Sequence, residues 1–129
     1  MKVKVYYNLH KKCYSIVSLE KENYGRVIKH ENCVPLFDAQ FKVSEKGRQR
    51  VLREQKKNVH AYVVGTWVSE FVPKGVVRLA TYNPYKYNSF VDATSKNSLA
   101  KAKQVLLSVY IQPLMSEGHR KTSHIHYVA

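Results

Sequence analysis

Residues 41–68, FKVSEKGRQRVLREQKKNVHAYVVGTWV, constrain the fold more than any other stretch of the sequence. Their pattern predicts a strand, a helix and a second strand. Ser44 is the predicted N-cap, because its hydroxyl can accept from the unpaired amides of the first helical turn. Residues 59–68 are rich in β-branched and aromatic side chains on both faces, which predicts a central strand. The helix has few apolar residues, so we expect it to lie against a sheet by one shallow edge.

The predicted helix carries a stripe of positive charge. At about 100° per residue, Lys46, Arg50, Arg53 and Lys57 fall on one side, with the spacing i, i+4, i+7, i+11. Like charges on an exposed face can bind phosphates. The alternative is a solvated surface helix, which is the better interpretation of the stripe taken alone. The rest of the chain shifts the balance towards an anionic partner.

Alternation of apolar and polar residues predicts further strands in the rest of the chain. They are residues 2–7, 13–19, 26–30, 39–43, 76–82, 104–111 and 122–128, and the first two form a hairpin. Pro35 interrupts an apolar run, so residues 31–38 are expected to be an edge or crossing segment. Residues 98–112 fit both helix and strand. We expect a short helical turn there, followed by a strand, because β-branched residues crowd the second half.

The length and apolar content define the fold class. The chain has 129 residues, enough for one compact domain, and 44% of them are hydrophobic, enough for a core. We predict a single α+β domain over residues 1–129. It has a largely antiparallel sheet of seven or eight short strands, strongly bent or forming a partial barrel, and one basic helix.

The net charge points to the class of partner. The formal charge is +13, from 22 Lys and Arg against 9 Asp and Glu, and a polyanion would relieve the resulting self-repulsion. We expect nucleic acid, with an acidic protein surface as the alternative. No apolar run is long enough to span a membrane. The N-terminus lacks the apolar region of a signal peptide, which predicts a cytoplasmic protein with reduced, buried thiols at Cys13 and Cys33. A disulfide between them and the oligomeric state stay open.

Residues 83–90, NPYKYNSF, form a predicted loop that mixes aromatic and basic side chains. Exposed tyrosines can stack on unpaired bases, each worth about 1–3 kcal/mol, while a lysine meets a phosphate. The alternative is that Tyr85, Tyr87 and Phe90 fold back onto the core, and the sequence leaves both open. The predicted nucleic-acid-binding set comprises Lys46, Arg50, Arg53, Lys57, Tyr85, Lys86, Tyr87, Lys11 and Lys12.

His124 and His126 are the candidates for catalysis. They lie two residues apart on a predicted strand, so their side chains point the same way. Such a pair can bind zinc if a third and a fourth ligand complete the site, for which His119 and His60 are the candidates. It can also act as acid and base in metal-independent phosphodiester cleavage, with Lys121 or Arg120 steadying the anion. The pattern favours a third interpretation, two polar residues on the outer face of a C-terminal edge strand.

The remaining ionisable residues give no recognisable catalytic site. Asp92 and Glu117 are the only acids after residue 70, and a convergence of Glu45, Glu54 and Glu70 with Asp92 on Mg²⁺ has no support in the spacing. His60 is expected to be a satisfied core histidine. Phosphate-loop, dinucleotide-binding and hydrolase motifs are missing, so we predict no cofactor and no metal, and enzymatic activity is not favoured.

Three segments of the sequence resemble small uncharacterised proteins of tailed bacteriophages. They are YYNLHKKCYSIV, GRQRVLREQKKNVHAYVVG and YNPYKYNSFV. The resemblance implies a phage protein made in the bacterial host cytoplasm and carries no activity with it. The expectation is therefore a small basic phage-type protein that binds nucleic acid through its helix stripe and aromatic-basic loop. The alternatives are an inhibitor that docks on an acidic or nucleic-acid-binding surface of a host enzyme or defence complex, and a small metal-independent nuclease.

Overall fold

The computed structural model describes residues 1–110 and 123–129, which contain ten β-strands and one α-helix. The strands are β1 Lys2–Asn8, β2 Cys13–Ser18, β3 Val27–Glu31, β4 Cys33–Val43, β5 Ala61–Trp67, β6 Arg78–Tyr82, β7 Phe90–Asp92, β8 Ser98–Leu99, β9 Lys101–Ser108 and β10 Ser123–Val128. The helix, α1, spans Glu45–Glu54 between β4 and β5. In this part of the chain, no helix has the length and apolar content needed to cross a membrane.

The described strands form one antiparallel sheet in the order β3-β2-β1-β5-β4-β9-β10-β6-β7-β8. The first and last strands in this order are edges, so the sheet is open rather than closed. The predicted antiparallel sheet with one helix is confirmed, and the fold is mostly β. The described part has ten strands rather than the seven or eight expected. The short strands β7 and β8 have three and two residues, too few to leave a readable alternation.

Residues 31–43 depart from the prediction. They were expected to be an edge or crossing segment followed by a strand, but Cys33–Val43 is one strand paired with β5 and β9 in the middle of the sheet. A strand residue points its nitrogen and carbonyl to the same side. The Pro35 carbonyl accepts from the Val68 amide at 3.1 Å, just beyond the end of β5. The proline nitrogen therefore faces the end of that ladder and leaves the pairing with β9 intact.

The predicted helical turn after residue 98 is also wrong. Residues 98–99 and 101–108 are strands, and exposed Lys101 and Lys103 alternate with buried Ala102 and Gln104. This alternation indicates a strand, but in the sequence it was obscured by leucines and alanines that also fit the spacing of a helix. The C-terminal strand β10 exists as predicted but pairs with both β6 and β9, so it is not an edge.

Aromatic rings from strands that are distant in the sheet meet in the core. The ring of Phe41 in β4 lies 5.0 Å from Phe90 in β7 and 6.4 Å from Tyr127 in β10, measured between centroids. Tyr82 lies 5.2 Å from Phe90. These rings thus bring together β4 and β7, which are four places apart in the strand order of the sheet.

Both cysteines are free thiols, but the expectation that they are buried is wrong. Cys13 is half-buried and Cys33 is exposed. Each is the first residue of its strand, where the sheet gives less cover than at its centre. The Cys33 sulfur lies 3.3 Å from the hydroxyl of Ser108 in the neighbouring strand.

Candidate nucleic-acid interface

Helix α1 is bounded by two recognisable caps. The Ser44 hydroxyl accepts from the Gly47 amide at 3.2 Å, which confirms the predicted N-cap. At the other end, Gln55 adopts a left-handed conformation with φ 55°, and its amide donates to the Val51 carbonyl. The helix ends where its apolar contacts end, since no apolar residue follows Leu52 before β5 except Val59. Lys57 therefore lies beyond the helix, and the predicted stripe is shortened to Lys46, Arg50 and Arg53.

The helix packs on the chain just before β5 through a narrow contact. Val51 is buried, and Gly47, one turn earlier, faces His60. A Cβ atom at position 47 would lie only 2.5 Å from the Cβ of His60, so the close approach requires glycine. This geometry leaves Lys46, Arg50 and Arg53 exposed.

Arg50 and Arg53 of the helix share one carboxylate, that of Glu54. Arg50 Nε donates to Glu54 Oε2 at 2.8 Å, and Arg53 Nη2 lies 4.0 Å from the same oxygen. Such exposed pairs contribute about 0–1 kcal/mol and yield readily to a competing anion. With Lys46, the stripe has three cations against this one carboxylate, an excess of two positive charges.

Arg48 joins the helix to the predicted aromatic-basic loop. Its Nε donates to the carbonyls of Pro84 at 3.0 Å and Tyr87 at 2.9 Å. Its Nη1 donates to Glu45 Oε1 at 3.1 Å, and its side chain is only 16% exposed. The sequence predicts that Arg48 lies between Val51 and Leu52, on the side of the helix opposite the stripe, and this position carried no signal of its contact with the loop.

The loop at residues 83–89 is a tight turn organised by Asn83. The buried Asn83 side chain accepts from the Tyr85 amide at 3.0 Å, and its carbonyl accepts from the Lys86 and Tyr87 amides. Tyr85 is 49% exposed and Lys86 is exposed, whereas Tyr87 is half-buried. Phe90 belongs to β7 and the core. Of the two alternatives for this segment, folding back therefore describes Phe90, and surface exposure describes Tyr85.

We call the exposed cations Lys46, Arg50 and Arg53 of α1, together with the exposed Tyr85 and Lys86 of the loop that Arg48 bonds to the helix, the helix–loop surface. Beneath it, His60 Nε2 lies 2.7 Å from the Tyr82 hydroxyl and Nδ1 lies 2.8 Å from the Asn58 carbonyl. A carbonyl can only accept, so Nδ1 carries the proton and Nε2 accepts from tyrosine. His60 is thus satisfied, as predicted, but it is half-buried and precedes β5 rather than lying in the core of that strand. Burial raises the pKa of Tyr82 to about 12.

Lys11 and Lys12 lie in the turn between β1 and β2. The Asn8 side chain accepts from the amides of His10 and Lys11, both at 3.0 Å, and fixes this turn. In the sheet, β1 runs antiparallel to β5, with Val5 opposite Val63. The end of β1 and the start of β5 therefore meet at the same end of the sheet, which is also where the helix enters β5. This register puts the two lysines at the helix end of the molecule.

A family model described as "Mycobacterium phage L5 gene 82 protein" matches residues 1–111. The chain belongs to this family. It is also 38% identical to the gene 82 protein of Mycobacterium phage L5 over 114 residues, which cover 84% of this chain and 90% of that protein. The resemblance to bacteriophage proteins is thereby confirmed. No solved structure matches the chain significantly.

The match to the family model includes every residue of the predicted binding set and ends before the C-terminal histidines. His124 is buried in β10 opposite Thr81, and half-buried His126 lies between Leu79 and Leu106 of the flanking strands. The supporting candidates His119, Arg120 and Lys121 fall outside the described residues. His124 and His126 thus lie in the interior of the sheet, and their role stays a hypothesis.

Two acidic residues considered for a Mg²⁺ site, Glu45 and Asp92, have structural partners. Glu45 accepts from Gln49 at 2.8 Å and from Arg48, and these bonds, that from Gln49 first, lower its pKa. Asp92 in β7 is bonded to the turn that follows it. Among residues 1–110 and 123–129, no group of three or more His, Cys, Asp or Glu is arranged to hold a metal ion.

Proposed function

We propose that this phage protein binds nucleic acid through the helix–loop surface, in the cytoplasm of the bacterial host. The observation that carries the proposal is the bond from Arg48 Nε to the carbonyls of Pro84 and Tyr87. It fixes the loop bearing Tyr85 and Lys86 against the helix bearing the exposed cations. The backbone segments that carry the cations and the aromatic ring then need no further ordering relative to each other when a strand binds.

The mixture of groups favours a single strand over a duplex. A duplex presents mainly phosphates to a surface without a groove-reading element, whereas a single strand also offers unpaired bases. Tyr85 supplies an exposed ring for stacking, and the neighbouring cations supply phosphate contacts. Lys57, just beyond the helix, and Lys11 and Lys12, at the same end of the sheet, extend the path of positive charge.

The surface depends on the shape of the sheet. We propose that the sheet is strongly bent, as the contact between Phe41 and Phe90 supports. The bend brings the loop after β6 towards the helix after β4, although four strand pairings separate β4 from β7 in the sheet. Without it, the loop that carries Tyr85 would not lie within hydrogen-bonding distance of Arg48 on the helix.

Fluorescence anisotropy with labelled single-stranded and duplex DNA and RNA, over a series of salt concentrations, tests the proposal. For a single strand, the logarithm of the binding constant should fall linearly with the logarithm of salt, by about 0.7 per phosphate neutralised. The double variant Arg50→Gln, Arg53→Gln should reduce the slope by about 1.4. The matched control, Lys101→Gln with Lys103→Gln, removes two exposed charges from β9 and should leave it unchanged.

Tyr85→Ala separates stacking from charge. It should weaken binding to a single strand by about 1–3 kcal/mol without altering the salt slope, because no charge is removed. Duplex affinity should change little. Binding that is tight but indifferent to salt would refute the proposal, and so would equal effects of the helix and β9 variants.

One observation favours a second candidate function, the inhibitor of a host protein. Glu54 already lies against the guanidinium groups of Arg50 and Arg53. These two arginines can therefore bind a carboxylate of an acidic protein surface in the same way. A pull-down from nuclease-treated host lysate distinguishes the candidates. A protein partner that survives the treatment and is lost with Arg50→Gln, Arg53→Gln would support the inhibitor. Loss of all binding after nuclease treatment would support nucleic acid.

A further inference from the structure

A polar cleft of about 390 Å³ opens beside the helix–loop surface. It lies between the loop at residues 83–89 and the turn that joins β7 to β8. Its volume is within the range of about 300–1,000 Å³ that is usual for small-ligand sites. Of the described residues that line it, three are cations and none is a carboxylate. The polar lining comprises Arg48, Lys86, Lys96, Asn88, Ser89 and Ser98.

One wall of the cleft is fixed by Asp92, which is only 4% exposed. Its Oδ2 accepts from the amides of Thr94 at 3.1 Å and Ser95 at 3.0 Å, and its Oδ1 accepts from the Tyr127 hydroxyl at 2.8 Å. These bonds, that from the Ser95 amide first, lower the pKa of Asp92 and keep it ionised. The turn is therefore held from within the core by a charge that does not face the cleft.

Lys96 is held in place by this turn. Its amide donates to the Asp92 carbonyl at 2.9 Å, its φ of 65° is left-handed, and its Nζ donates to the Ala93 carbonyl at 2.7 Å. An ammonium group has three donors, so two remain for a ligand. A cation held by its own turn in an uncommon backbone conformation is better defined than a lysine on an open surface.

The opposite wall is fixed by Arg48, through its bond to the Tyr87 carbonyl. The two walls are also tied to each other, because the hydroxyls of Ser89 and Ser98 lie 2.6 Å apart. The cleft is thus a preformed group of donors rather than a chance gap between mobile side chains. It adjoins the helix–loop surface, since Arg48 and Lys86 belong to the segments that form both.

We propose that this cleft binds a phosphate monoester, namely the terminal phosphate of a strand held on the helix–loop surface. The inference rests on the proposed function for the strand, while the chemistry of the cleft also suits a free mononucleotide or inorganic phosphate. Near neutral pH a monoester carries about 1.5 to 2 negative charges and three terminal oxygens, because its second pKa is about 6. The three cations and the one hydroxyl hydrogen that the bond between Ser89 and Ser98 leaves free match this group better than a singly charged internal diester.

The test compares two single-stranded oligonucleotides that differ only in a terminal phosphate or hydroxyl, by anisotropy at constant salt. At pH 7.5 the phosphorylated strand should bind about tenfold more tightly than the hydroxyl-ended strand, because one additional hydrogen bond to a charged group raises affinity by about this factor. The ratio of the two affinities should fall as the pH drops through about 6, where the monoester loses a charge. Both the 5′ and the 3′ phosphate are compared, because the direction of the strand is a result of the experiment.

Lys96→Gln should reduce that ratio towards one, and Ser98→Ala should reduce it less. The matched control is Lys21→Gln, which removes an exposed charge in the loop between β2 and β3, next to the opposite edge of the sheet. It should keep the full ratio. Melting temperatures of all three variants establish that each is folded.

The outcomes separate the two proposals. Equal affinities for the two ends, with salt-dependent binding intact, would overturn the cleft and leave the helix–loop surface standing. Binding of inorganic phosphate or adenosine monophosphate by calorimetry, lost in Lys96→Gln and without any strand binding, would support the phosphate site in the cleft. It would overturn nucleic-acid binding and the assignment of the phosphate to a strand terminus. Displacement of the phosphorylated strand by the free mononucleotide would support a cleft that takes the phosphate from either source.

Discussion

Replacing Arg48 by methionine should detach the loop at residues 83–89 from the helix. Methionine keeps most of the aliphatic stem and removes the guanidinium. The Nε atom has a single hydrogen, so its contacts with Pro84 and Tyr87 are one bond shared between two carbonyls, not two bonds. A bond with one charged partner contributes about 1.5–3 kcal/mol. The pair with Glu45 adds little, because that carboxylate is largely exposed. The loop carbonyls can partly rehydrate, so we expect a loss of about 2 kcal/mol in the free energy of unfolding.

Urea denaturation measures this loss. With a slope of about 2 kcal/mol per molar, typical of small domains, the midpoint should fall by about 1 M. The melting temperature should fall by roughly 8 °C for a domain of this length. The matched control is Arg50→Met on the same helix, whose exposed pair with Glu54 contributes at most about 1 kcal/mol.

The same two variants also test how the loop supports binding. For a strand that ends in a hydroxyl, Arg50→Met should reduce the salt slope by about 0.7, whereas Arg48→Met should leave it nearly unchanged, because Arg48 is bonded to Glu45 and to loop carbonyls. Arg48→Met also frees the segment that carries Tyr85, and it should weaken single-strand binding more than Arg50→Met does. If Arg48→Met unfolds at the same urea concentration as Arg50→Met, the shared bond does not hold the loop against the helix, and the link between the two segments is refuted.

Two further variants test the supports of the candidate site. Gly47→Ala should gain about 1 kcal/mol of helix propensity but lose more through the clash with His60, so a lower urea midpoint is expected and a higher one would contradict the packing. Tyr127→Phe removes a buried bond to the ionised Asp92 and should lower the free energy of unfolding by about 1.5–3 kcal/mol at neutral pH. Because the pKa of Asp92 is lowered by folding, its contribution is present above pH of about 4 and is lost as the pH falls through the lower folded value. Urea midpoints at several acid pH values should show a smaller loss in Tyr127→Phe than in the unaltered protein, and parallel profiles would count against the Asp92 contact.

Local patterns in the sequence were sufficient for the elements that depend on local physics. The strand, helix and strand of residues 41–68, the N-cap at Ser44 and the first hairpin follow from alternation, helical spacing and capping chemistry. The position of Pro35 in a central strand could not be inferred, because it depends on where β5 ends. The end of the helix before Lys57 depends in the same way on tertiary contacts available to Val51 but not to the residues after Leu52.

Only part of the candidate site could be predicted from the sequence, because the rest also depends on contacts between residues far apart in the chain. Its cations and its exposed tyrosine could be read from composition, but the residues that set their geometry could not. Arg48 bonds to carbonyls 36 and 39 residues further along the chain, and Asp92 bonds to Tyr127, 35 residues away. Carbonyls occur at every residue, so no pattern in the sequence marks which of them a buried side chain will reach.

The residues that hold the loop and the following turn help to decide between the two interpretations of the basic stripe, a solvated helix face and a binding surface. A helix whose charges only face solvent requires no fixed neighbour, and the loop at residues 83–89 could move independently of it. Instead, a largely buried arginine holds that loop, and a buried aspartate holds the next turn, each through backbone groups. Ordering two exposed segments has an entropic cost that surface charge alone does not offset. A fixed arrangement of cations around an exposed ring and a polar cleft is what a phosphate-bearing ligand requires, which is why we favour a binding surface over a solvated one.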